Sequence, residues 1–207
     1  MRTPRPDILA VILAGGLGRR MAGAAKPLLP LRGEALVARV ARFARGQCVE
    51  VALNLYEDDP ETRVPFAVLG LPFIADSFPG RAGPLAGVLA GLEYAARRPG
   101  VTHVLSLPCD TPFPPVDLVA RLSAAAGAGL ACAASAGREH SAVALWPVGL
   151  AAPLRAALAE GMRAVRPFQR AHDLKVVDWP TESCDPFFNI NTPEDLALAE
   201  ALPDIKA

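Results

Sequence analysis

Residues 8–26 read ILAVILAGGLGRRMAGAAK, and the change of composition along this stretch predicts the fold. Residues 8–14 are all apolar, which is typical of a strand buried on both faces of a parallel sheet. The glycines that follow predict a tight loop at the carboxyl end of that strand, where open α/β sheets bind their ligands. The stretch therefore predicts an α/β domain whose first strand leads into a ligand-binding loop.

The rest of the chain alternates short apolar runs with amphipathic segments, the pattern of a mostly parallel sheet flanked by helices. We expect further strands at residues 49–55, 66–74, 101–107, 130–135, 142–146 and 175–179. We expect helices at 34–45, 84–98, 116–126, 153–160 and 163–171, and a last one from Pro193 to about residue 202 with Thr192 as its N-cap. The 207 residues contain no internal repeat and no linker, so residues 1–207 are expected to form a single domain.

The composition excludes several classes of protein. Hydrophobic residues make up 52% of the chain and charged residues 20%, which is too apolar for a disordered segment. The 21 basic residues balance the 21 acidic ones, so the basic excess of a nucleic-acid binder is missing. Arg19 and Arg20 behind the first apolar run argue against a secretory signal, and no run is apolar enough to span a membrane. We therefore expect neither a nucleic-acid nor a membrane partner.

The four cysteines stand far apart, with no C-x-x-C pair that would indicate zinc or redox chemistry. Free thiols are the expected state, which is typical of a reducing compartment. We therefore expect a cytoplasmic location.

The glycine-rich loop after the first strand is the first candidate site. Its backbone N–H groups suit a phosphate, although Gly-Lys-Ser/Thr is absent and Met21 replaces the third glycine of a dinucleotide fingerprint. Positive charge is concentrated between residues 19 and 45, where seven basic residues accompany only Glu34. Lys26, one of three lysines, is expected to hold phosphates, whereas the arginines of the following helix are expected to be solvated.

The second candidate is Asp110, which follows the strand predicted at 101–107 and lies between two prolines. A carboxylate at the end of a central strand can hold Mg²⁺ against nucleotide phosphates, because this ion takes one or two carboxylates together with phosphate and water oxygens. Capping of the local turn explains the residue equally well.

Polar residues near the carboxyl terminus form the third candidate. Asn189 and Asn191 alternate with Phe188 and Ile190, so an extended backbone would present both amides on one side. The pair could bind a polar substrate or metal-bound water, while turn and capping chemistry is the alternative explanation.

Further candidates lie at other strand ends and turns. Asn54 and Asp76 each follow a predicted strand, and residues 80–87 form a second glycine-rich turn that leads into a helix. The positive end of that helix suits an anion. His140 has no neighbouring cysteine or histidine motif, so we expect it to form hydrogen bonds rather than to bind metal.

Several short segments together resemble the molybdenum cofactor guanylyltransferases in order and spacing. They are residues 13–16 (LAGG), 20–21 (RM), 26–29 (KPLL), 83–87 (GPLAG), 108–112 (PCDTP) and 189–195 (NINTPED). The opening loop is shared with many nucleotidyltransferases, whereas the GPLAG turn and the NINTPED ending are more selective. Together they span nearly the whole chain.

The resemblance implies a three-layer, Rossmann-like nucleotidyltransferase fold of the α/β class. The nucleotide-binding part would span about residues 1–112 and the acceptor-binding part about 113–207. The implied enzyme requires Mg²⁺, transfers GMP from GTP to molybdenum-bearing molybdopterin and releases pyrophosphate. Besides these two substrates, it would have transient contact with molybdenum-insertion or molybdoenzyme maturation proteins.

The resemblance also assigns roles to individual residues. The nucleotide-binding positions would be Leu13, Ala14, Gly15, Gly16, Lys26, Asn54, Asp76 and Asp110. The catalytic positions would be Lys26, Asp110 and Arg20, with Asp110 also binding the metal. Asn189 and Asn191 would lie near the acceptor. One departure from the family pattern is that this chain reads Ala25-Lys26-Pro27, where Asp-Lys-Gly is usual.

Three alternatives stay open on the sequence. A molybdopterin cytidylyltransferase shares the loop, but it usually opens with Leu-Ala-Ala-Gly, so the LAGG of this chain favours guanine. A sugar-phosphate nucleotidyltransferase would keep the chemistry and change the acceptor. A regulatory module that binds GTP without turnover is the non-enzymatic alternative.

Overall fold

The computed structural model describes residues 4–15, 25–57, 59–80, 82–182 and 184–202. Its strands are β1 (Arg5–Leu13), β2 (Pro30–Leu31), β3 (Glu34–Ala35), β4 (Cys48–Leu55), β5 (Phe73–Ala75), β6 (His103–Pro108), β7 (Ala131–Ser135), β8 (Arg138–Pro147) and β9 (Lys175–Trp179). Its α-helices are α1 (Leu36–Arg45), α2 (Pro60–Arg63), α3 (Pro84–Ala95), α4 (Leu118–Ala126), α5 (Ala151–Ala159), α6 (Val165–Arg170) and α7 (Pro193–Ala201). Short 3₁₀ helices lie at Lys26–Leu28, Val64–Leu69 and Val148–Leu150.

Seven strands form one sheet in the order β5-β4-β1-β6-β8-β7-β9, while β2 and β3 form a separate ribbon. The pairs β5/β4, β4/β1, β1/β6 and β7/β9 are parallel, and β8 is antiparallel to both of its neighbours. The carboxyl ends of β4, β1, β6 and β7 therefore meet at one edge of the sheet. This arrangement confirms the predicted mostly parallel α/β sheet.

Helices cover both faces of the sheet, and the alternation of side chains along β1 shows how the two faces are filled. Ile8 and Ile12 pack in a cluster with residues of α1 and α4. Leu9 and Val11 point to the opposite face and pack with residues of α3, α5 and α6. All four side chains are at most 1% exposed, so β1 is buried on both faces as predicted. The result is a three-layer structure.

A third, smaller cluster joins Leu31 of the ribbon β2–β3 to Ala199 of α7, with Ile190 between them in sequence. Helix α7 begins as predicted, because Thr192 Oγ1 accepts a hydrogen bond from the backbone N–H of Asp195 at 3.1 Å. The Asp195 carboxylate accepts in return from the N–H of Thr192 at 2.9 Å. This reciprocal cap fixes the chain where it enters the helix.

The strand predicted at residues 66–74 is wrong over most of its length. Its first part belongs to the 3₁₀ helix Val64–Leu69, which ends at Gly70 with a φ of 57° in the left-handed region. Only Phe73–Ala75 forms a strand. Pro65 and Pro72 lack a backbone N–H and Gly70 turns the chain, so these three residues interrupt an otherwise apolar run. The other predicted elements are observed with ends shifted by a few residues.

No helix in the described part of the chain is long and apolar enough to cross a membrane.

Candidate active site

A cleft of about 880 Å³ opens at the carboxyl edge of the sheet. Its walls come from the ends of four neighbouring strands, from the first turn of α3 and from two segments distant in sequence. The described residues that line it are Leu13, Ala14, Gly15, Ala25, Lys26, Pro27, Asn54, Leu55, Tyr56, Thr62, Phe66, Asp76, Gly83, Pro84, Pro108, Cys109, Asp110, Ala142, Asn191 and Thr192. The cleft thus lies where parallel α/β sheets bind ligands.

The end of β1 lies directly against the end of β4. The backbone N–H of Ala14 donates to the carbonyl of Asn54 at 3.0 Å. A Cβ atom on Gly15 would lie 2.7 Å from the backbone nitrogen of Tyr56, which is closer than any real Cβ contact. Glycine is therefore required at position 15 for the two strand ends to meet at the cleft.

Asn54 and Asp76 form a polar pair in this wall. Asn54 is 3% exposed, and its Nδ2 donates to Asp76 Oδ1 at 2.9 Å and to the carbonyl of Ile74 at 3.3 Å. Burial raises the pKa of Asp76, although the hydrogen bond from Asn54 opposes this effect. Helix α3 makes room for the pair, since a Cβ on Gly87 would lie 2.3 Å from Asn54 Oδ1. The structure therefore holds a part-buried hydrogen-bond acceptor, the Asp76 carboxylate, at this end of the cleft.

A basic, an acidic and an amide side chain meet on the other wall. Lys26 Nζ lies 2.5 Å from Asp110 Oδ2 and 2.7 Å from Asn191 Oδ1, although 84 and 165 residues separate these partners along the chain. The backbone of Asp110 is fixed by the N–H of Ile190, which donates to its carbonyl at 3.0 Å. Asn191 is held by its own N–H, which donates to Asp195 Oδ2 at 2.8 Å. The predicted loop lysine, metal carboxylate and one predicted acceptor residue are thus in contact.

The second carboxylate oxygen of Asp110 is suited to a cation. Oδ1 is buried and has no hydrogen-bond partner among the described residues. No group of three or more His, Cys, Asp or Glu that could hold a metal occurs within the same residues. Mg²⁺ is commonly bound by one or two carboxylates together with substrate phosphates, so a single carboxylate fits this ion when a nucleotide supplies the remaining oxygens.

The first turn of α3 provides a third feature of the cleft. Gly83 has a φ of 74° and precedes Pro84, which occupies the first position of this 12-residue helix. Both residues line the cleft. The partial positive charge at the start of the helix suits a phosphate or another anion, as the sequence predicted for this turn.

Three predicted site residues are not among the described residues that line the cleft. Gly16 and Arg20 lie outside the described residues. Asn189 does not line the cleft, and its Oδ1 is buried without a hydrogen-bond partner in the described chain. Residues 186–187 form a turn, and residues 188–191, for which an extended alternation was predicted, belong to no strand. Asn191 therefore reaches the cleft without Asn189.

Other cleft residues had no signal in the sequence. Tyr56, Thr62 and Phe66 come from the segment after β4, where no motif marks them, and Phe66 was assigned to a strand. Ala142 comes from β8 and carries no chemistry of its own. Only the packing of distant segments brings these residues to the cleft.

Relatives of this chain have named activities. A family model described as "MobA-like NTP transferase domain" matches residues 10–176. A protein of Rhodopseudomonas palustris named molybdenum cofactor guanylyltransferase is 49% identical over 202 residues, which are 95% of this chain and 94% of the relative. A protein of a Bradyrhizobium species with the same name is 46% identical over 197 residues, covering 93% and 91%.

Solved structures share the fold. The crystal structure of molybdopterin-guanine dinucleotide biosynthesis protein A from Archaeoglobus fulgidus matches with a TM-score of 0.72 at 22% identity, covering 93% of this chain and 97% of that one. A Mycobacterium tuberculosis protein crystallised as a complex with manganese matches with a TM-score of 0.66 at 16% identity, covering 94% and 98%. At these identities the likeness extends to the fold alone.

Proposed function

The chain belongs to the MobA-like NTP transferase family, and from this premise we propose that it transfers GMP from GTP to molybdopterin carrying molybdenum. The transfer would release pyrophosphate and form the molybdopterin guanine dinucleotide cofactor. The names of relatives that share 49% and 46% of their residues with this chain support this reaction. The observation that carries the proposal is the contact of Lys26 with both Asp110 and Asn191 inside the cleft.

The reaction brings two anions together, because the phosphate of the acceptor attacks the α-phosphate of GTP. A divalent cation, when bound, neutralises charge on the α-phosphate and on the departing pyrophosphate. Asp110 would hold it through the carboxylate that already carries an unpartnered oxygen. Lys26 would place its ammonium group on the phosphates as a compact positive charge. The acceptor phosphate is already ionised, so no side-chain nucleophile is needed.

The hydrogen-bonding groups on the far wall of the cleft favour guanine as the base of the nucleotide. An ionised carboxylate such as that of Asp76 has only hydrogen-bond acceptors. Guanine presents two adjacent N–H donors on its pairing edge, whereas cytosine presents one. Asn54 would orient the carboxylate through its 2.9 Å hydrogen bond. The end of β1 at Leu13, Ala14 and Gly15 would line the same pocket.

The ion, the location and the protein partners are parts of the same proposal. Mg²⁺ is the proposed metal, supported by a site with a single carboxylate. The four free cysteines fit the reducing cytoplasm. Since the product is a cofactor for other enzymes, we include transient contact with molybdenum-insertion or molybdoenzyme maturation proteins.

Nucleotide selectivity is the first test. The melting temperature is measured with GTP, CTP, ATP and UTP, each with and without Mg²⁺. A ligand at 100 times its dissociation constant adds about 2.7 kcal/mol, which raises the melting temperature of a domain of this size by about 5–10 °C. A selective response to GTP is expected, while a response to CTP alone would move the assignment to the cytidylyl relatives.

Transfer itself is tested by pyrophosphate release in the presence of GTP, Mg²⁺ and molybdenum-bearing molybdopterin. We expect Lys26→Ala and Asp110→Ala each to lower turnover by about a hundredfold, as removal of one transition-state donor does. Lys175→Ala is the matched control, because Lys175 is half exposed and pairs with Asp173 away from the cleft. Binding of GTP without pyrophosphate release would favour the regulatory module instead.

A further inference from the structure

Three polar residues beside the acceptor half of the cleft form a chain of hydrogen bonds that the proposed reaction does not use. Ser135, the last residue of β7, is 1% exposed, and its Oγ donates to Asp185 Oδ1 at 2.8 Å. The same Oγ lies 2.6 Å from Nε2 of His140 on β8. None of the three residues lines the cleft.

The chemistry of these groups sets the direction of each bond. An ionised carboxylate can only accept, so the single hydroxyl hydrogen of Ser135 goes to Asp185. His140 Nε2 must then carry a hydrogen and donate it to Ser135 Oγ. Burial lowers the pKa of His140, while the charge of Asp185 acts in the opposite direction. The chain therefore runs from His140 through Ser135 to Asp185, with one tautomer of the imidazole selected.

The His140 end of this hydrogen-bond chain lies next to a wall of the cleft. β7 pairs Cys132 with Ala144 and then Ala133 with His140, so residues 141–143 of β8 bulge out of the ladder. Ala142, in this bulge, lines the cleft. Ser106 Oγ donates to the carbonyl of Ala142 at 2.7 Å and braces the bulge from the neighbouring strand. His140 lies at the base of the bulge.

The other end of this hydrogen-bond chain lies in a second segment, which we call the acceptor loop (residues 185–191) and which reaches the cleft at Asn191. Asp185 Oδ1 accepts from the backbone N–H of Phe187 at 2.9 Å, so the carboxylate shapes the start of the loop. The Phe187 ring packs against the His140 ring, with 4.8 Å between their centroids. The loop ends at Asn191, which contacts Lys26.

We propose that the chain His140–Ser135–Asp185 positions the acceptor loop relative to the β8 bulge and thereby sets the affinity for the acceptor substrate. This inference rests on the proposed function for the identity of the acceptor, a pterin phosphate. The three residues are positioning residues, since they act through Ala142 and Asn191. Directional bonds fix the relative orientation of two walls in a way that non-directional apolar packing does not. Nucleotide affinity should be independent of them, because Asn54 and Asp76 lie on the far side of the cleft.

The test compares His140→Met, which removes the donor, with His140→Gln, whose amide N–H₂ can replace Nε2 as a donor. Ser135→Ala removes both bonds with little change of volume and covers the case in which His140→Met fails to fold. Tyr94→Phe is the matched control, because it removes a part-buried hydrogen bond to Glu50 away from the acceptor loop. Binding of molybdopterin without GTP, and binding of GTP, are each measured by equilibrium titration under anaerobic conditions. Transfer is assayed in parallel.

We expect Ser135→Ala to weaken molybdopterin binding by about tenfold or more, as loss of a hydrogen bond to a charged group does. His140→Met loses a bond to a neutral hydroxyl and should weaken it by about fivefold. GTP binding should change less than about twofold, and His140→Gln should recover most of the loss. Unchanged molybdopterin affinity in both variants, or an equal loss for GTP, would overturn the inference. A wild-type protein that binds molybdopterin without transferring GMP would refute the proposed function while leaving this comparison intact. A wild-type protein that does not bind molybdopterin would overturn both.

Discussion

Replacing Gly87 by alanine tests whether α3 shapes the nucleotide pocket. The new Cβ would lie 2.3 Å from Asn54 Oδ1 and 2.8 Å from Leu13 Cδ2, so both side chains must move. Alanine gains about 1 kcal/mol of helix propensity over glycine, while overpacking costs about 1–3 kcal/mol, so the free energy of unfolding should fall by about 0–2 kcal/mol. Displacing Asn54 also releases Asp76 from its proposed position against the base, and the hydrogen bond to a charged group that GTP would lose is worth about 1.5–3 kcal/mol. We therefore expect GTP affinity to fall by about tenfold or more.

Gly91→Ala is the matched control for this experiment. It lies one turn further along α3, and its Cβ would lie 2.6 Å from Val11 Cγ2, a core atom away from the cleft. The control should lose a similar amount of stability and keep its affinity for GTP. Both variants are examined by thermal denaturation and by calorimetric titration with GTP and Mg²⁺. Equal GTP affinity in the two variants would refute the reasoning that Asn54 and Leu13 form the pocket.

Two further predictions concern stability beside the site. Because burial raises the pKa of Asp76, ionising this carboxyl costs more in the folded than in the unfolded state, so stability falls as pH rises through the folded pKa. Asp76→Asn should therefore raise the melting temperature at pH 7, with a gain that disappears toward about pH 4, while weakening GTP binding; a lower melting temperature at pH 7 would contradict this. Thr192→Ala removes the N-cap of α7 and should cost about 0.5–2 kcal/mol in thermal denaturation, whereas Thr192→Ser should cost much less.

The strands and helices were predictable where one periodicity dominates. β9 is observed at the predicted bounds, and β1 is buried on both faces as its continuous apolar run indicated. The run at 66–74 was misassigned because apolar content alone does not distinguish a strand from a short helix. Its first part is a 3₁₀ helix that buries only Phe66 and leaves Val68 exposed. Gly70 and Pro72 inside that run indicated an interrupted strand, and the structure shows that interruption.

The meeting of Lys26, Asp110 and Asn191 was predictable in part. Asp110 lies at a strand end, and the family resemblance named the other two. The hydrogen-bond chain His140–Ser135–Asp185 was not predictable from the sequence. Only the expectation that His140 forms hydrogen bonds could be stated. Its geometry depends on a shift of strand register in β8 and on the path of a loop, which no local pattern encodes.

The departure at Ala25-Lys26-Pro27 shows how the chain orients the loop lysine without a neighbouring acid. Pro27 is buried, and its ring fixes its φ angle. The backbone N–H of Leu28 closes the turn by donating to the carbonyl of Ala25 at 2.9 Å. The lysine then takes its counter-charge from Asp110 and a further acceptor from Asn191. Since one ion pair joins the lysine proposed to bind phosphate to the carboxylate proposed to bind metal, each single replacement also disturbs the partner that is left. Replacing both should therefore cost less than the sum of the two single effects, whereas independent roles would make the losses additive.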